Sequence, residues 1–96
     1  MNYTEKKIAS IPNRYAAKNI WFTEQEDWSF AIVEQHDGYF YAYHYNGYWT
    51  DDKLWFVSYA SARRSFNENF DLRSRFKKVE SNLPNVHNLS KKGWLR

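Results

Sequence analysis

Two dipeptides constrain this chain more than any other feature. Asp37-Gly38 and Asn46-Gly47 stand with seven residues between them, each flanked by strand-like runs rich in aromatic residues. Asx-Gly pairs are the strongest short hairpin signals, because tight turns demand backbone angles that Gly and Asn adopt at low cost. Two in succession predict a three-stranded antiparallel meander. Taken as two-residue loops, they set a register with His36 opposite Tyr39, Ile32 opposite Tyr43, and Tyr45 opposite Tyr48. One face then carries Trp28, Phe30, Ile32, Glu34 and the ladder Tyr39, Tyr41, Tyr43 and Tyr45. The other carries Ser29, Ala31, Val33, Gln35, Phe40, Ala42, His44 and Trp49.

The flanking segments complete an α+β domain. Residues 3–10 form a short helix stopped by Pro12. Residues 19–23 make a further strand, and residues 54–57 resume extended structure after Asp51-Asp52-Lys53 interrupts the sheet. Ser58 then reads as a helix N-cap. Tyr59, Ala62, Phe66 and Phe70 fall on one helical stripe, and Leu72, Phe76 and Val79 continue it in the same helix or a second one begun at Asp71. The expected fold is an antiparallel meander of three to four strands packed on one face by a C-terminal helix. It is one domain over 1–96: an N-terminal segment to 18, sheet over 19–57, helix over 58–80 and a loop-rich tail over 81–96, where Val86, Leu89 and Trp94 dock on the body.

A chain of 96 residues buries only about 60–65% of its unfolded surface. Its core therefore has to come from large groups, and 21% of this chain is aromatic. There is no cysteine, which excludes disulfides and thiolate metal sites and suits a cytoplasmic setting. The first eleven residues carry Glu5, Lys6 and Lys7 without an apolar run, unlike a secretory signal. No stretch is long and apolar enough to span a membrane. Three glycines cannot build a phosphate-cradling loop, no metalloprotease motif is present, and the histidines are scattered. A non-enzymatic protein without a cofactor is expected.

Charge is bipolar along the chain. Residues 21–52 hold seven carboxylates and no Lys or Arg, whereas residues 53–96 hold ten basic residues and three acidic ones. Two surfaces follow. The acidic, aromatic one comprises Asp37, Asp51 and Asp52 with Trp49 and Trp55 as anchors, carboxylates standing where a basic partner expects phosphates. The basic one comprises Arg63, Arg64, Arg73, Arg75, Lys77 and Lys78, a helix face able to follow a phosphate backbone. A bland reading accompanies each: turn carboxylates in the first case, a solvated helix face in the second.

The run from Gly38 to Tyr43 resembles part of the aromatic octet of RNA-recognition-motif domains. Asp37 stands where that family has a basic residue, and the strand–strand–strand–helix order is not the family's, so no membership follows. The order itself resembles, at the level of fold alone, the arm-type DNA-binding modules of phage integrases. The leading expectation is a phage or mobile-element binding protein that inhibits or regulates a nucleic-acid-processing protein, as a monomer or small homo-oligomer. The alternative is a module that binds DNA or RNA directly through the basic helix.

Overall fold

The computed structural model describes residues 3–79, without the side chains of Tyr15, Asp52, Lys53 and Leu54. The expected docking of Val86, Leu89 and Trp94 lies outside these residues. In chain order the elements are α1 (Tyr3–Ala9), a 3-10 turn (Arg14–Ala16), β1 (Asn19–Gln25), β2 (Trp28–Glu34), β3 (Phe40–Tyr45), β4 (Trp49–Phe56), α2 (Tyr59–Phe70) and β5 (Lys77–Lys78). The sheet runs β4-β3-β2-β1-β5, antiparallel throughout. The α+β class and the C-terminal helix packed on the sheet match the sequence reading.

The register differs from that reading by one residue. Ala31 faces Tyr43 and Ile32 faces Ala42, not Tyr43. The cause is the turn. Gln35 N–H donates to the Tyr39 carbonyl at 3.0 Å, and Gly38 N–H donates to the Gln35 carbonyl at 3.1 Å. Gly38 has φ +90°, while Asp37 is not among the residues with positive φ. A two-residue type I′ turn needs positive φ at both central positions; here a type I turn followed by a left-handed Gly makes a three-residue loop. Asp37 Oδ1 accepts the Tyr39 N–H at 2.9 Å and tightens it. The second hairpin also has a three-residue loop, of a different kind: Tyr45 faces Trp49, the central Gly47 has φ +91°, and Asn46 N–H donates to the Tyr48 carbonyl at 3.3 Å.

One residue of shift moves every β3 side chain to the other face. Phe40, Ala42 and His44 now join Trp28, Phe30 and Ile32 under α2. The stripe Ala62, Phe66 and Phe70 packs onto this face, with Leu72 closing one end. Tyr41, Tyr43 and Tyr45 instead share the opposite face with Ser29, Ala31 and Val33. That face is also covered: Ile8 and Ile11 of the N-terminal segment pack on Ile20, Phe22, Ala31, Val33 and Tyr43. Small Ser29 and Ala31, both fully buried, let α1 lie close. The sheet is therefore a middle layer, and β2, its central strand, is buried on both sides over residues 29–33.

Neither a continuation of α2 nor a second helix forms over residues 72–79. Ser58 Oγ caps α2 by accepting the Ser61 N–H at 3.1 Å, and Asp71 ends the helix in the left-handed region at φ 52°. Gln25 then captures the departing chain: its Oε1 accepts the backbone N–H of Arg73 at 2.7 Å and of Ser74 at 3.2 Å. Held there, the chain runs antiparallel to β1, pairing Lys77 with Phe22 and Lys78 with Trp21.

α1 is fastened by Lys7. Its ammonium, almost fully buried, lies 2.9 Å from Glu24 Oε2, donates to Ser29 Oγ at 3.2 Å, and sits 4.4 Å from the Tyr3 ring centroid. Trp49 completes the attachment by donating its indole N–H to the Lys7 carbonyl at 3.1 Å.

Candidate functional site

The N-terminal segment covers β1 and β2 but leaves the β3–β4 side of its face open. There the 3-10 turn and the strands enclose a notch of about 560 Å³. Asn13 and Ala16 form one wall. Gln35, His36, Asp37, Tyr41, Tyr43 and Asp51 form the rest. Asp37 and Asp51, distant in sequence, reach it for different reasons. Asp37 belongs to the β2–β3 loop, and Asp51 faces Tyr43 across the β3–β4 ladder. Beyond Asp51 the ladder is irregular: between the Tyr43 and Tyr41 pairings, β4 spans residues 52–54 against the single Ala42 of β3.

Asp37 is a prepared acceptor. Its Oδ2 accepts the Tyr41 hydroxyl at 2.7 Å, in addition to the Tyr39 N–H on Oδ1. The Tyr41 hydrogen bond, followed by that from the Tyr39 backbone, holds the carboxyl below the ordinary aspartate range. The same bond pushes the Tyr41 phenol up to about 12, so it stays a donor at neutral pH. Burial raises the Tyr43 phenol, opposed by a side-chain hydrogen bond with Asn13. Gln35 is the unfinished part of the site. Its Nε2 is buried and has no hydrogen-bond partner among the described residues. A buried amide donor left unpaired costs about 1–3 kcal/mol.

Tyr41→Phe tests this arrangement. A carboxyl whose folded-state value lies below its unfolded one stabilises the fold at neutral pH, and that stabilisation is lost as pH falls through the folded value. Without the phenol donor, the Asp37 titration moves up toward the ordinary aspartate range. The acid-side loss of stability attributable to this residue shrinks with it. Carboxyl-detected NMR titration of both proteins is the check, and an unmoved Asp37 curve would show that Tyr41 does not set its acidity.

Of the other predicted acidic-surface residues, Trp55 is 59% exposed and packs edge-on against Tyr39 at 4.7 Å, beside the notch on the edge strand. Trp49 is instead a packing residue, between Phe22 and Tyr45 and tied to α1. The Asp52 side chain lies outside the described set. Asn13, Gln35 and the Tyr41 hydroxyl were not singled out as site residues from the sequence. Only the Asp37 turn hinted at the last, since its true loop length brings Tyr41 alongside.

The basic residues do not assemble on one helix. Arg63 and Arg64 are exposed on α2, Arg73 pairs with Asp71 at 3.0 Å in full solvent, and Lys77 and Lys78 lie on edge strand β5. Arg75, Lys77 and Lys78 border a second groove of about 580 Å³ floored by Ile8 and Phe22. Two carboxylates, Glu5 and Glu24, line the same groove, and Glu24 already binds Lys7. Among the described residues no group of three or more His, Cys, Asp or Glu is placed to hold a metal ion. No described helix is long and apolar enough to cross a membrane. Compared with known proteins, the chain matches no family model, no curated protein and no solved structure.

Proposed function

We propose that this chain is a non-enzymatic binding protein that engages the cationic surface of a nucleic-acid-processing protein, blocking or regulating it. The observation that carries this reading is the convergence of Asp37 and Asp51 on one open notch, with the Tyr39–Trp55 pair at its margin. Rigid aromatic anchors beside fixed carboxylates are the ingredients of a hot spot for a basic partner. The basic residues support direct nucleic-acid binding less well. Only two of the six lie on α2, and those lining a groove share it with carboxylates. The tyrosine ladder also supports base stacking less well, since Tyr43, in its middle, is only 3% exposed.

The test is competition. A fluorescent oligonucleotide is bound in turn to each of a panel of purified nucleases, helicases and polymerases, and the chain is added. The expected result is release of oligonucleotide from at least one of them, abolished by Asp37→Lys with Asp51→Lys. Direct binding of the oligonucleotide to the chain alone, falling steeply with salt and lost in Arg75→Ala with Lys77→Ala and Lys78→Ala, would overturn the proposal. Competition that survives the double charge reversal would overturn it equally.

A further inference from the structure

We infer that the groove between α1 and the β1–β5 edge binds a small amphipathic anion, a carboxylate on an alkyl chain. The groove lies apart from the notch, so its occupant does not depend on the reading above. Its floor is apolar, made by Ile8 of α1, Phe22 of β1 and Val79 just after β5. Along one rim stand Arg75, Lys77 and Lys78, all exposed. Among the described residues, none of these three side chains has a hydrogen bond or an ion pair. The two carboxylates of the groove are in the opposite condition. Glu24 accepts the Thr4 hydroxyl at 3.2 Å on one oxygen and the Lys7 ammonium at 2.9 Å on the other. Glu5 is not free either. The charge left unanswered in this groove is therefore positive, and it borders an apolar floor.

Lysines on a short edge strand also discourage edge-to-edge pairing of sheets. That role accounts for the charges and not for the apolar floor beside them. At about 580 Å³ the groove is of the size that holds small ligands, roughly 300–1,000 Å³. Lys77 pairs with Phe22 and Lys78 with Trp21, so the basic wall runs alongside β1. From Arg75 to Val79 it covers at most about 13 Å of extended chain. A narrow alkyl chain can lie along the floor with its carboxylate against the cations, whose own aliphatic stems add apolar surface. Other occupants fit less well. A phosphate backbone gains nothing from an apolar floor. Residues 80–96 carry Lys91, Lys92 and Arg96 against Glu80 alone, so the chain's own tail would bring cations to cations. A strand from a second copy needs a backbone edge, and β5 offers two residues.

The experiment titrates the 15N-labelled full chain with acetate, hexanoate, octanoate and decanoate below their micellar concentrations, and with octylammonium. For decanoate we expect saturable shifts at the Phe22, Thr23, Lys77 and Val79 amides, with a dissociation constant of about 1 mM or tighter. Affinity rises by about two- to fourfold per added methylene, the upper end being complete burial. Acetate and octylammonium do not saturate. Arg75→Ala with Lys77→Ala weakens decanoate by about tenfold, whereas Arg75→Lys with Lys77→Arg stays within about threefold of the parent. Both residues are exposed, so unchanged resonances away from the groove establish that the variants fold. Absence of saturable shifts would overturn the assignment. Equal affinity for acetate and decanoate would do so by showing that the floor is not used, and equal affinity for octylammonium by showing that the cations do not select. Shifts centred on Phe66 would place the alkyl chain in the core under α2 instead. Groove shifts that arise without ligand on concentrating the chain would give the groove to a second copy, and groove shifts on Trp94→Ala would give it to the tail; either overturns the assignment to an anionic ligand.

Discussion

Phe66→Ala is expected to destabilise the domain by about 3–5 kcal/mol, the largest effect of any single substitution considered for this chain. Phe66 is 2% exposed and is the central contact between α2 and the sheet. Its ring meets Phe30 edge-on at 5.1 Å and stacks near Phe76 at 5.9 Å. Truncation removes the burial of the ring, and the hole left behind is walled by Phe30 of the central strand, which cannot collapse without moving the sheet. A domain of this length is stabilised by about 5–14 kcal/mol in total, so the variant sits near the edge of folding. Urea unfolding followed by tryptophan fluorescence measures the loss. Arg63→Ala, on the exposed side of the same helix, is the control and stays within about 0.5 kcal/mol of the parent. A cost below about 1.5 kcal/mol for Phe66→Ala would mean that the helix is not seated on Phe30.

Lys7→Ala is the second large effect, and it discriminates between two accounts of the N-terminal face. If α1 were held only by Ile8 and Ile11, Lys7 would be dispensable. In the fold its ammonium satisfies both Glu24 and the fully buried Ser29 hydroxyl. Removing one member of a buried charge pair strands the other. The Glu24 side chain keeps 38% of its exposure, so water screens part of the penalty, and the expected cost is about 1–3 kcal/mol. Lys7→Met keeps the stem's packing and loses less. Lys7→Met combined with Glu24→Gln recovers most of the remainder, because neither member is then left charged and unpartnered. Equilibrium unfolding of the three variants gives the coupling. Strict additivity of the Lys7→Met and Glu24→Gln effects would show that the pair does not hold α1 down.

The two predictions concern opposite faces of one sheet, and those faces were unequally visible in the sequence. The stripe Ala62, Phe66 and Phe70 announces its packing by spacing alone, and Ser58 announces where the helix begins. The covering of the other face carries a weak signal. Ser29, Ala31 and Val33 look like an ordinary mixed strand face, and the residues that seal them, Ile8 and Ile11, sit in a short charged segment. Lys7 reads as a surface lysine until Glu24 and Ser29 are brought beneath it. In the notch, the carboxylates were legible as turn residues, whereas Gln35 gives no local sign of ending with a buried, unpaired amide.

Local patterning alone settled what depends on neighbours in the chain: the α+β class, a meander punctuated at Gly38 and Gly47, a capped amphipathic helix and a bipolar charge distribution. Tertiary structure decided the register. Asp-Gly serves both a two-residue and a three-residue hairpin, and the difference lies in the backbone angle of Asp37 rather than in residue type. The choice is made by what each face must accommodate. Ala42 is small enough to lie beneath the ring cluster of α2, while the phenols of Tyr41 and Tyr43 need Asp37 and Asn13 as partners on the far side. The tail was decided the same way: Lys77 and Lys78 carry no strand signal, and they pair because the free edge of β1 leaves backbone groups to satisfy and Gln25 delivers the chain to it.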